Sequence, residues 1–207
     1  MKRGILLLNG EPYEGAIDAE NAVVVCCDGA YRWAKGKIRI DENVGDFDSL
    51  GEVPVPAPLQ VYPSEKNYTD GEIGLRKLID YGCTEIEIYG GGGGREDHFL
   101  GNVHLLYYAL QKGVRAKLIT KYSTIYPISG KVTLKGEKGK TFSLLPFGGE
   151  AHIMSGEGVK YPYCDLTLRY GSCRGLSNIA LEEECRFNCD KGVVLLCMNE
   201  NPVTEGE

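Results

Sequence analysis

Apolar positions in the first 125 residues switch between two rhythms. The runs "GILLLNG" (4–10) and "AVVVCCDGA" (22–30) are continuous, rich in branched residues and closed by turn formers, as expected of strands buried on both faces of a parallel sheet. "LQVYPSE" (59–65) is a third strand candidate. In "TDGEIGLRKLIDYG" (69–82), Ile73, Leu75, Leu78 and Ile79 form an apolar helix face; Thr69 with Glu72 makes a capping box, and Gly82 ends the helix. "TEIEIYGGGG" (84–93) predicts a strand running into glycines. "EDHFLGNVHLLYYALQKG" (96–113) predicts a second long helix through Phe99, Val103, Leu106, Tyr107 and Leu110, and "AKLIT" (116–120) predicts another strand.

Strands alternating with helices predict an α/β N-terminal domain with a parallel, Rossmann-like sheet over residues 1–125. Beyond it the helical spacing stops. "GKVTLKG", "KTFSLLPFG", "AHIMSG", "CDLTLRYG" and "RFNCDKGVVLLCMN" are short segments bounded by Gly, Pro, Asn or Asp, which predicts an all-β antiparallel sandwich domain over 130–207. The boundary is expected between Ser123 and Gly130, and the tail "NENPVTEGE" is expected to be loose.

Charge narrows the function. A net charge of −6 over 207 residues argues against a broad basic surface for nucleic acid or for an anionic membrane. The apolar run after Lys2 and Arg3 stops at Leu8, too short for a secretion signal, and no run approaches the roughly 20 residues that span a bilayer, so a cytoplasmic protein is expected. The eight cysteines are scattered, and the spacing of Cys185 and Cys189 completes no zinc motif; reduced, packed thiols are expected.

In an open parallel sheet, ligands sit beyond the C-terminal strand ends. Four chemically notable segments fall there: Asp28 after the second strand, "GDFDS" (45–49), "KNYTD" (66–70) and "GGGGREDH" (91–98). If residues 46–48 are extended, Asp46 and Asp48 point to one side and suit a hard cation such as Mg²⁺, which binds through one or two carboxylates plus substrate phosphates. The bland alternative is two aspartates shaping a turn through nearby backbone amides. A calcium loop starting at Asp46 fails at Leu50 and Ala57, which lack ligand oxygens. The glycines allow close approach of a phosphate chain, but no Lys-Ser/Thr follows them and no G-x-G-x-x-G register fits. Arg95 suits phosphate by its planar fork, or is a solvated residue at a helix start. Asp70 and Asp97 also fit helix first turns on stability grounds alone, and His98 reads equally as a cap, a core residue or a ligand.

These residues resemble the thiamin pyrophosphokinase family. The likeness rests on "DGA" (28–30), "GDFDSL" (45–50), "TD" (69–70) preceded by Lys66, "GGREDHFLGN" (93–102), "GVKYP" (158–162) and "GLSN" (175–178), in the family's order. It implies an ATP-binding catalytic domain and a thiamin-binding, dimerising β-sandwich, paired as a homodimer with shared active sites. It further implies Mg²⁺-dependent transfer of a diphosphoryl group from ATP to the hydroxyl of thiamin. By this resemblance Asp46, Asp48 and Asp70 hold the metal. Asp28, Lys66, Gly92, Gly93, Gly94, His98 and Asn102 serve the nucleotide, Arg95 and Asp97 join Asp46, Asp48 and Asp70 in catalysis, and Tyr161, Ser177 and Asn178 meet thiamin. Tyr161 also reads as simple packing and Ser177–Asn178 as a turn. Asn67 departs from the family's acid at that place. From the residues alone, a metal-dependent nucleotide-sugar transferase and a non-catalytic nucleotide sensor remain alternatives.

Overall fold

The computed structural model describes residues 1–48, 50–62 and 67–202. The chain divides into two compact units, Met1–Lys121 and Tyr122–Glu207.

In the first unit, strands β1 (Arg3–Leu7), β2 (Ala22–Cys27), β3 (Glu42–Val44), β4 (Glu85–Tyr89) and β5 (Arg115–Ile119) form a wholly parallel sheet in the order β3-β2-β1-β4-β5. Helix α1 (Tyr31–Ala34) follows a 3₁₀ turn at Asp28–Ala30, while α2 (Asp70–Asp80) precedes β4 and α3 (Glu96–Gln111) precedes β5. The third strand is Glu42–Val44 rather than the expected 59–65. Leu59 and Val61 are exposed, residues 59–62 form no strand, and 63–65 lie outside the described residues.

Pleating sorts the side chains. Gly4, Leu6, Val25 and Cys27 face α2, which comes in closely because it presents glycine: a Cβ on Gly74 would stand 2.6 Å from Leu6 and 2.9 Å from Cys27. Ile5, Leu7, Val24 and Cys26 face the other way, into a core with Tyr31, Trp33 and Tyr89. Each such fully buried Leu, Ile or Val contributes about 1.5–3 kcal/mol. Thr69 caps α2 by accepting the Glu72 N–H at 3.2 Å, but the Glu72 carboxylate takes Arg76 at 2.8 Å, so half the predicted capping box forms. The buried face of α3 is Val103, Leu105, Leu106 and Ala109, rotated from the expected stripe, with Phe99, Tyr107 and Leu110 only half-buried.

The second unit is antiparallel. It comprises β6 (Ser123–Lys135), β7 (Lys140–Pro146), β8 (Ala151–Glu157), β9 (Tyr163–Leu168), the short β10 (Asn178–Ile179) and the long β11 (Glu184–Pro202). Residues 123–130, expected as a boundary, lie inside β6. The first part of β11 runs between β6 and β8; beyond a break in register from Cys189 to Val194, it runs between β6 and β7. Phe142, Leu144, Ile153, Tyr163, Phe187 and Leu196 share one core. All eight cysteines are free thiols.

Candidate active site

Strand order reverses between β1 and β4, and in open α/β sheets the crevice at such a reversal is where ligands bind. The loops leaving those two strands are joined there. Gly10 N–H donates to Gly90 O and Glu11 N–H to Gly92 O, both at 2.7 Å. Glycine is required by contact: a Cβ on Gly10 would lie 2.5 Å from the carbonyl oxygens of Gly90 and Gly92, and one on Gly90 would strike Leu8 O. Gly92 is buried, whereas Gly93 and Gly94 are exposed with φ of +69° and +73°. Asn102 donates to Gly91 O at 3.0 Å, so its amide supports the glycine loop. Sequence reading overlooked Asn9–Gly10–Glu11, although the "NG" ending the first apolar run was its signal. Asn9 packs against Gly29, beside Asp28.

Asp28 adopts φ +38° at the end of β2. Its Oδ1 is buried with no hydrogen-bond partner among the described residues, and burial pushes its pKa up, with further upward pressure from Asp46 and Asp70. Three separate elements thus bring carboxylates within electrostatic reach of one another. Gly45 makes this possible, since a Cβ there would stand 2.9 Å from the Asp28 Cβ. Asp70, at the first position of α2, is tied to β2 by the Cys27 thiol, which donates to Asp70 O at 3.3 Å.

The segment 46–48 is not extended. Phe47 is left-handed at φ +58°, and Asp48 N–H lies 3.4 Å from Asp46 Oδ1, a turn of the kind aspartate favours. The same-side argument for Asp46 and Asp48 therefore fails. Asp46 is half-buried toward Asp28, and Asp48 is exposed. Among the described residues no three His, Cys, Asp or Glu side chains gather closely enough to hold an ion by themselves. One or two carboxylates with phosphate oxygens and water suffice for Mg²⁺, and Asp28, whose buried Oδ1 has no hydrogen-bond partner among the described residues, lies in electrostatic reach of two further acids and of Arg32. The residues present fit that ion.

Arg95 and Asp97 are exposed at the start of α3 and paired in a two-pronged contact, Nε to Oδ1 at 3.1 Å and a terminal nitrogen to Oδ2 at 2.6 Å. This contact holds the Asp97 carboxyl below its usual range, and Asp97 also accepts the His98 N–H at 2.9 Å. His98 itself is exposed. Lys66 lies outside the described residues.

In the second unit, Val159 bridges Ala180 and Lys160 N–H donates to Ile179 O at 2.9 Å, bringing "GVKYP" beside "GLSN". Asn178, only 2% exposed, closes this join: its Oδ1 accepts from Tyr161 N at 3.0 Å and Ile179 N at 2.8 Å, and its Nδ2 donates to Tyr161 O at 2.8 Å. Expected as a ligand contact or a turn residue, it is a clamp that holds Tyr161, whose side chain is 58% exposed with Lys160 Nζ 5.5 Å from the ring centre. Ser177 is exposed at φ +58°, its N–H on Ser143 Oγ at 3.1 Å.

Comparison with known proteins accounts for both units. Residues 16–118 match the model for "Thiamin pyrophosphokinase, catalytic domain", and residues 125–194 match "Thiamin pyrophosphokinase, vitamin B1 binding domain". A thiamine pyrophosphokinase of Bacillus subtilis (strain 168) is 33% identical over 163 residues, 75% of this chain and 76% of its own length. A crystal structure of thiamine pyrophosphokinase from Bacillus subtilis superposes with a TM-score of 0.82 at 27% identity, covering 97% of this chain and 100% of that one. A family protein from Enterococcus faecalis gives 0.83 at 21% identity over 97% and 100% of the two chains, a likeness of fold. With both units matched in order and the glycine loop and the aspartates both at C-terminal strand ends, the chain belongs to the thiamin pyrophosphokinase family.

Proposed function

We propose that this chain transfers the diphosphoryl group of ATP to the hydroxyl of thiamin, releasing AMP. The thiamin oxygen attacks the β-phosphorus, the bond from the β-phosphorus to the oxygen bridging it to the α-phosphorus breaks, that oxygen leaves with AMP, and the hydroxyl proton is released. The observation that carries this reading is the approach of Asp46 and Asp70 to Asp28, in the unit whose glycine loop closes the sheet's switch point.

Mg²⁺ would be held by Asp46, Asp48 and Asp70, and would neutralise phosphate charge during transfer. The backbone of Gly92, Gly93 and Gly94 receives the chain being transferred, with Asn102 keeping the loop in place. Arg95 exchanges Asp97 for phosphate oxygens, which frees Asp97 to accept the thiamin hydroxyl. A carboxylate is a weak base at neutral pH, and that is enough because phosphoryl transfer rests mainly on position and charge. Asp28, Lys66 and His98 complete the nucleotide side. Tyr161 and Ser177 offer thiamin an exposed ring and hydroxyl, and Asn178 holds Tyr161.

Catalysis over residues 1–125 and thiamin binding over 130–207 belong to this reading, as do a two-layer β-sandwich, a homodimer with active sites shared between subunits, and a cytoplasmic setting. Among the described residues no helix is long and apolar enough to cross a membrane. The test is AMP release from Mg-ATP with and without thiamin. Release that needs thiamin and matches thiamin diphosphate formed is expected; no release, or release indifferent to thiamin, overturns the proposal.

A further inference from the structure

We propose that Glu42, with Lys77 and Tyr81, is a positioning residue for the metal and phosphate site, holding the loop that carries Asp46 in register with the helix that carries Asp70. This rests on the reading of those aspartates given above. Glu42 is 3% exposed, on the edge strand β3, three residues before Gly45. Its two carboxylate oxygens go to one helix. Lys77 Nζ lies 2.7 Å from Oε1, a charge contact at an angle outside hydrogen-bond geometry, and the Tyr81 hydroxyl donates to Oε2. Lys77 and Tyr81 stand in the last turn of α2 and just beyond it, and Asp70 stands at its start, about 10 Å away along the axis from Lys77.

The neighbourhood ties the same parts together. Tyr62 N–H donates to Gly45 O at 3.1 Å, and the Tyr62 ring lies near enough to Lys77 and Tyr81 to act on both electrostatically. Lys2 Nζ donates to Tyr81 O at 2.6 Å, and Asn43, also buried, donates to Pro56 O at 2.7 Å. Polar side chains therefore fix β3 on its helix side and on the side of the segment that returns to Gly45.

Burying the Glu42 carboxylate against a half-buried Lys77 carries a desolvation cost, and a well-packed apolar pair would hold β3 against α2 at least as firmly. What the polar trio adds is direction. Apolar contacts tolerate sliding, whereas an acid with two defined partners one helical turn apart sets both the axial position and the rotation of α2 against β3. Mg²⁺ accepts little departure from octahedral geometry, and a misplacement of 1 Å in a reacting group costs about a hundredfold.

The experiment replaces the pair by apolar residues of similar size, Glu42→Leu with Lys77→Met, and measures three things. Thermal unfolding reports stability, AMP release with thiamin reports turnover against Mg²⁺ concentration, and loss of the free Mn²⁺ electron paramagnetic resonance signal, with a non-hydrolysable ATP analogue present, reports ion binding without chemistry. The expected double variant unfolds at or above the wild-type temperature, yet needs at least about fivefold more Mg²⁺ for half-maximal turnover and binds Mn²⁺ correspondingly more weakly. Wild-type Mg²⁺ dependence and Mn²⁺ binding in that variant would make the trio a structural ion pair only. Should the double variant not fold, Tyr81→Phe removes one hydroxyl, and the same shift of twofold or more is expected; none overturns the inference. A wild-type protein without thiamin-dependent AMP release sinks the functional reading, whereas an active wild type beside an unaltered variant sinks this inference alone.

Discussion

Gly45→Ala probes the join on which the acidic site depends. A Cβ at position 45 would stand 2.9 Å from Asp28 Cβ, 3.1 Å from its Cα and 3.3 Å from its N, so backbone as well as side chain must yield. Ordinary contact needs about 3.4 Å or more, and the loop must therefore move by roughly half an ångström. Overpacking of this kind costs about 1–3 kcal/mol, and the φ of +154° at Gly45 adds about 1–3 kcal/mol of backbone strain for alanine. At about 3–4 °C per kcal/mol for a unit of this size, the unfolding temperature should fall by roughly 6–24 °C. The displacement also carries Asp46 away from Asp28 and Asp70, so half-maximal Mg²⁺ for AMP release should rise by about tenfold, equivalent to ~1.4 kcal/mol. Gly36→Ala is the control. Its φ of +73° imposes a backbone cost of about 1–2 kcal/mol, but open space surrounds it, so stability should drop without a change in Mg²⁺ dependence. An unchanged Mg²⁺ requirement and unfolding temperature in Gly45→Ala, or an equal Mg²⁺ shift in the control, would refute the reasoning.

Asp48→Asn, at an exposed turn position, should lose most turnover at limiting Mg²⁺ while unfolding within a degree or two of wild type; near-normal turnover there would remove Asp48 from the metal's surroundings. Arg95→Lys keeps charge but loses the fork that now grips Asp97, so turnover should fall more than ATP binding weakens, and equal losses would mean ground-state binding only. In the second unit, His152 sits 2.6 Å from Asp190 and 2.9 Å from Asp165, which raise its pKa above 6.5. That stabilisation is complete below about pH 6.5 and is lost as pH rises through the higher folded value. Thermal unfolding of the wild type should thus decline from pH 6.5 upward, more at low salt, and a His152→Asn variant showing the same decline would disprove the link.

Local chemistry made much of the fold legible. The runs at Ile5–Leu8 and Val23–Cys27 announce strands because a parallel sheet buries both faces, and Thr69 and Gly82 mark α2 because helix ends need caps. Strand β3 was hidden because Glu42 and Asn43 look solvent-facing until Lys77, Tyr81 and Pro56 arrive from elsewhere in the chain. The exposed Leu59 and Val61 imitated a strand in its place. Residue types of the candidate site and the loops after β2 and β4 were also legible, since the ends of those two strands can be located from pattern alone, whereas the loop carrying Asp46 follows the hidden β3. The conformations of the site residues were not legible. A left-handed Phe47, the Arg95–Asp97 pair and the buried clamp at Asn178 all depend on packing or on φ values that side-chain identity does not specify.

If two phosphates move as one group from ATP to thiamin, the β-phosphorus must travel with them into the product. ATP labelled at the β-phosphorus tests this transfer most directly, with the purified chain, Mg²⁺ and thiamin. The label should appear in thiamin diphosphate, with unlabelled AMP formed in equal amount and none without thiamin. Label retained in ADP, or released as inorganic phosphate regardless of thiamin, would contradict the account.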